Sequence, residues 1–180
     1  MGSHTHQLES AEKQYPDAFA VIDNAINYFA EVIHEQGIPQ PSSPLAFVRV
    51  AAVIRAFNLL KSIRQLLAGN HWENAAILMR SLFELVLNIE EIERDPATAE
   101  QQAQSFIRFE AVQQTRRLLA ESEYELATGR RTEHDPRLSQ LVESLRLLAP
   151  QWVRRRDDGT IKWSSSWSGK SVRALCEASG

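Results

Sequence analysis

Residues 72–94 read WENAAILMRSLFELVLNIEEIER, and this stretch decides the fold class. Ala75, Leu78, Met79, Leu82, Phe83, Leu85, Val86, Ile89 and Ile92 recur at spacings of three and four, the repeat of an α-helix. They cover most of the circumference, leaving a narrow polar stripe of Asn74, Ser81, Glu84, Asn88 and Glu91, with Arg80 beside it. A helix so widely apolar is expected to be central and packed on several sides.

Working outward, Pro and Gly punctuate the flanks. Ser43-Pro44 supplies an N-cap and a first-turn proline for a preceding helix that runs to Leu67 or Ala68, with Gly69-Asn70 as its stop. Before it, IPQPSSP is an extended linker, reached from a helix that begins near Ala11 or after Pro16 and ends at Gly37. Phe19, Ile22, Ile26, Phe29 and Ile33 give that helix its apolar face. After the central stretch, Asp95-Pro96 predicts the start of a long helix reaching Thr128, stopped by Gly129. Asp135-Pro136 predicts another, ending near Arg154; residues 156–168 read as an exposed loop, and a short last helix follows from about Ser168. No strand is expected. The sum is an all-α bundle of five or six helices in a single domain over residues 11–180. Residues 1–10 read as a flexible N-terminus with the look of an expression-tag remnant, so His4 and His6 are not taken as metal ligands.

Composition sets limits on function. The 180 residues are 43% hydrophobic and 24% charged, the balance of an ordered globular protein. The single cysteine, Cys176, excludes an internal disulfide and a zinc site built on paired thiolates. No apolar run reaches a membrane span and the N-terminus lacks a signal-peptide core, so the expected setting is the cytoplasm, with no membrane partner. The net charge of −3 argues against a nucleic-acid surface spread over the whole domain, although 16 of the 20 basic residues are Arg, a type suited to planar anions.

The chemistry-bearing motifs are few. Ser168-Gly169-Lys170-Ser171 has the ending of a phosphate-binding loop, but Ser164 stands where the first Gly is needed and no buried strand precedes it. Lys170 retains a candidate anion contact at a helix start. Glu31 and His34 form one E-x-x-H without a second copy, so no metal is assigned, and no cofactor is implied. Arg55, Asn58, Ser62 and Gln65 form a polar stripe on the helix before the central one. Facing the stripe of Arg80, Glu84 and Asn88, it would make either a buried network that fixes register or a small polar ligand site. Arg55, Asn58, Arg80, Glu84, Asn88 and Lys170 are therefore the candidate ligand-binding residues.

Arg64-x6-His71, written RQLLAGNH, resembles the R-x(4–6)-H signature of HEPN ribonucleases. That resemblance implies metal-independent cleavage of RNA, with Arg64 steadying the phosphate and His71 assisting attack by the ribose 2′-OH, across a dimer. Gln65 departs from the polar residue that usually follows the Arg, and Gly69-Asn70 interrupts the helix inside the motif. Separately, AAILMRSLFEL (75–85), FIRFEAVQQTRRLL (106–119) and WSGKSVRAL (167–175) resemble an uncharacterised bacterial helical family with a central R-S-x-x-E helix and a late W-x-G-K-S element. This second resemblance implies an all-helical fold and no particular activity. The functional expectation is ligand or partner binding, by analogy in a bacterial defence or stress setting. The ribonuclease using Arg64 and His71, with RNA as its partner, and a structural module that homodimerises through its apolar faces are the alternatives.

Overall fold

The computed structural model describes residues 10–179 apart from Pro39 and His134. The expected flexible N-terminus thus lies, Ser10 excepted, outside the described residues. Seven helices and one small hairpin follow in order among them: α1 (Ala11–Gln14), α2 (Pro16–Gln36), α3 (Pro44–Ala68), α4 (Trp72–Glu93), α5 (Ala99–Ala127), α6 (Pro136–Leu148), β1 (Val153–Arg155), β2 (Ile161–Trp163) and α7 (Val172–Ser179). The protein is all-α, and its packing defines two compact units that divide between Arg94 and Asp95.

In the first unit the two sequence-read starts of the opening helix both occur: Pro16 separates a four-residue turn of helix, α1, from the long α2. Ser43 caps α3, its Oγ accepting from Ala46 N at 3.2 Å. The stop at Gly69-Asn70 is a Schellman ending. Asn70 takes the left-handed conformation at φ 59°, its N–H donating to Leu67 O and that of His71 to Leu66 O. Asn is among the residue types whose short polar side chain tolerates this conformation. The ending returns the chain so that α4 packs along α3, which also packs on α2 and α1. Ala11, Phe19, Ile63, Leu67 and Ala75 form the core, with Ile22, Leu66, Leu78 and Leu82 against it.

One expectation is corrected here. Instead of being central and packed on several sides, α4 buries Ala75, Leu87 and Ile92 but leaves Ile77, Met79, Phe83 and Val86 exposed. Within this unit α3 is the helix that packs along it, and one neighbour can cover only one stripe of so apolar a surface.

The second unit is built on the 29 residues of α5. Its start differs from the sequence expectation: Asp95 caps a turn, accepting from Ala97 N at 3.0 Å and from Thr98 Oγ1 at 3.1 Å, and the helix proper begins at Ala99. At the other end Gly129 sits at φ 70°, where glycine is free of Cβ strain, and closes a second Schellman ending. Asp135 caps α6 through Arg137 N at 2.9 Å. That helix stops at Leu148 and not near Arg154, because Pro150 disfavours helical geometry at Ala149 and removes a donor. The chain then forms a hairpin where none was expected, with Val153 opposite Trp163 and Arg155 opposite Ile161. Asp158 and Gly159 make its turn: Asp158 Oδ1 accepts from Thr160 N at 2.8 Å, and Gly159 adopts φ 82°. Trp152, just before the hairpin, is buried with its Nε1 donating to Trp167 O at 2.9 Å. Its ring meets Phe109, and that of Trp167 meets Phe106, both edge to face.

Candidate functional site

The polar stripe of α3 lines an open groove of about 490 Å³. Arg55, Asn58 and Ser62 supply its polar edge; Ala51, Ile54, Leu59 and Leu78 supply the apolar part. Helix spacing explains the arrangement. Positions 51, 55, 58 and 62 fall on one face of α3, and Leu78 reaches the same place from α4. Arg55 is exposed and makes no hydrogen bond or ion pair among the described residues. The other arginines of α3 differ: Arg49 Nε lies 2.6 Å from Glu93 Oε1, and Arg64 is held by two carboxylates.

The stripe of α4 does not join that groove. Arg80 Nε donates to Glu84 Oε1 at 2.9 Å, one turn along the same helix, with 76% of the Arg80 side chain exposed. The buried network expected between α3 and α4 is therefore a surface ion pair on α4 alone. Asn88 Nδ2 donates to Glu84 O at 2.8 Å, which ties its amide back to its own helix. Lys170 belongs to the second unit, in the loop before α7, where its N–H donates to Ser168 Oγ at 3.3 Å. Ser171 caps α7, accepting from Ala174 N at 3.2 Å. Of the six residues expected to bind a ligand, the groove brings together Arg55 and Asn58, and Ser62 joins them.

Arg64 and His71 are turned to different tasks. Arg64 Nε donates to Asp23 Oδ1 at 3.0 Å and Nη1 to Glu12 Oε1 at 2.6 Å, while the guanidinium lies 5.3 Å from the centre of the Phe19 ring. The hydrogen bond it donates to Asp23 holds the Arg64 guanidinium above its ordinary pKa, with Glu12 adding to it and burial opposing. One cation thus ties α1 and α2 to α3. His71 precedes the first turn of α4 and lies back over the turn: a Cβ added at Gly69 would come within 3.0 Å of His71 Cδ2. The Schellman ending after Ala68 breaks the helix between the two residues, so they do not share a face.

Among the described residues no three His, Cys, Asp or Glu side chains come together to hold a metal. Glu31 and His34 lie one turn apart on α2, and Cys176 is half-buried in α7. No described helix is long and apolar enough to cross a membrane. Sequence reading missed the groove's apolar members on α3, Ala51, Ile54 and Leu59; their spacing beside Arg55 and Asn58 was the available signal.

No curated protein and no solved structure matches the chain. A family of unknown function (DUF5677) matches residues 47–180, from the first turn of α3 through α7. The chain belongs to that family.

Proposed function

We propose that the chain is a binding module whose α3–α4 groove takes an apolar segment of a partner protein, anchored by a carboxylate on Arg55. The observation that carries this reading is the unpaired, exposed guanidinium of Arg55 beside Asn58, Ser62 and the apolar surface of Ala51, Ile54, Leu59 and Leu78. An arginine with no carboxylate of its own offers a planar, two-point contact to one arriving on a partner. The open shape suits an extended or helical segment, which can leave at both ends, better than an enclosed small molecule. The ribonuclease reading has less support, because Arg64 is engaged by Glu12 and Asp23.

Fluorescence anisotropy with a labelled amphipathic peptide of Leu, Ala and Glu tests the proposal. Binding is expected to weaken on the order of 10-fold with Arg55→Ala, and with a Gln-for-Glu peptide. It is expected to weaken with salt as well. Equal binding by the wild type and Arg55→Ala, or none by the wild type, would overturn it.

A further inference from the structure

The exposed apolar residues of α4 are not scattered. Trp72, Ala76, Met79, Phe83, Val86 and Glu90 follow one another at spacings of four, three, four, three and four. That is the a/d repeat of a two-helix seam, roughly 27 Å long at 1.5 Å per residue. Every member is exposed: Trp72 by 46%, Met79 by 45%, Phe83 by 51% and Val86 by 47%, with Ala76 and Glu90 exposed as well. The contact with α3 lies on another side of α4, through residues such as Ala75, Leu78 and Leu82. Tyr15, 53% exposed and edge-on to Trp72 at 5.8 Å, widens the apolar patch at one end.

We infer that this seam pairs α4 with α4 of a second copy of the chain, the two helices running antiparallel. Charge selects both the occupant and the direction. Glu91 and Glu93 are neutralised within the chain by Arg94 and Arg49, whereas Glu90 has no such partner among the described residues and sits on the seam itself. A parallel pair would place Glu90 against Glu90. An antiparallel pair carries it to the start of the other α4, beside Trp72. There the first-turn N–H groups receive no side-chain cap and the helix dipole favours an anion, which offsets the repulsion from Glu73 in the same turn. The seam is thus complementary to its own reverse. Met79 then meets Phe83 of the second copy, and the small Ala76 meets Val86. Arg80 approaches its counterpart at the flank, where the ion pair of each with its own Glu84 offsets the repulsion.

A single helix pair buries less than the ~800 Å² per partner of a standard interface, so the expected dissociation constant is on the order of micromolar. Sedimentation equilibrium of the full chain up to ~100 µM should show conversion from the 20.4 kDa chain to twice that mass. Phe83→Asp and Met79→Glu, each at a half-exposed position, should weaken association about 30-fold or more while helicity by circular dichroism is kept. Spin labels on Glu73→Cys, in a Cys176→Ser background, should lie on the order of 25 Å apart, against less than ~15 Å for a parallel pair. A chain that stays monomeric at the highest concentration, in which case the seam belongs to another partner, would overturn the inference. So would a dimer indifferent to both seam variants, or labels at the shorter distance.

Discussion

Replacing Arg64 with Ala should destabilise the first unit measurably, because the residue is a clamp and not a free surface cation. Three contacts go at once. The ion pairs with Glu12 at 2.6 Å and Asp23 at 3.0 Å involve side chains that are 31–44% exposed, which limits each to about 0.5–1 kcal/mol. The guanidinium over the Phe19 ring adds about 0.5–1 kcal/mol. Together these come to about 1.5–3 kcal/mol, or roughly 3–12 °C in Tm for a chain of this size. α1, only four residues long, cannot hold its helical turn unaided. Amide hydrogen exchange should therefore lose protection first around Ala11 and Phe19. Thermal unfolding followed by circular dichroism gives the magnitude, and a double-mutant cycle with Asp23→Ala isolates the pair. Arg64→Lys should recover part of the loss, since an ammonium keeps the charge without the planar fork. A Tm within about 1 °C of wild type for Arg64→Ala would refute the clamp.

The remaining expectations concern both units. Glu84→Ala should cost less than about 1 kcal/mol by chemical denaturation, because the Arg80 side chain is 76% exposed; a loss of 3 kcal/mol or more would mean a buried pair. Trp152→Phe should cost about 1–3 kcal/mol, since it removes the buried hydrogen bond that the indole donates to the Trp167 carbonyl, and near-ultraviolet circular dichroism should lose aromatic signal with it. The Glu143 carboxylate, held below its ordinary pKa chiefly by its hydrogen bond from Arg146, and further by the charges of Arg146 and Arg155, should titrate below a free glutamate in NMR. Its contribution to stability is present above the ordinary carboxylate range and lost as pH falls through the depressed value. Arg146→Gln should move that titration back up.

The elements that could be read from sequence are those fixed by local chemistry. Ser43-Pro44 and Asp135-Pro136 cap helices because the cap and its target N–H lie within three residues of each other. Gly69-Asn70 and Gly129 stop helices through their own backbone conformation. Pro150 carried an equally local signal; given its weight, it ends α6 early and frees Val153–Arg155 to pair as a strand. The candidate site was less legible. Arg64 meets Asp23 and Glu12 at separations of 41 and 52 residues, and no periodicity within one helix points to such partners. Likewise, the apolar circumference of α4 does not say which side finds a neighbour. That depends on how many helices pack beside it, a property of tertiary packing.

The distribution of indole rings along the chain gives the protein built-in optical probes. Three of the four tryptophans, Trp152, Trp163 and Trp167, fall after the division at Asp95, and two of them are buried to within 7%. Trp72 is the sole tryptophan before that division and is about half exposed. Blue-shifted emission shielded from iodide therefore belongs to Trp152 and Trp167 of the unit built on α5, while the most quenchable, red-shifted fraction belongs to Trp72 at the start of α4, with the half-buried Trp163 between them. A single fluorescence titration can accordingly follow the unfolding of the two halves of the chain as separate spectral components, with no label attached.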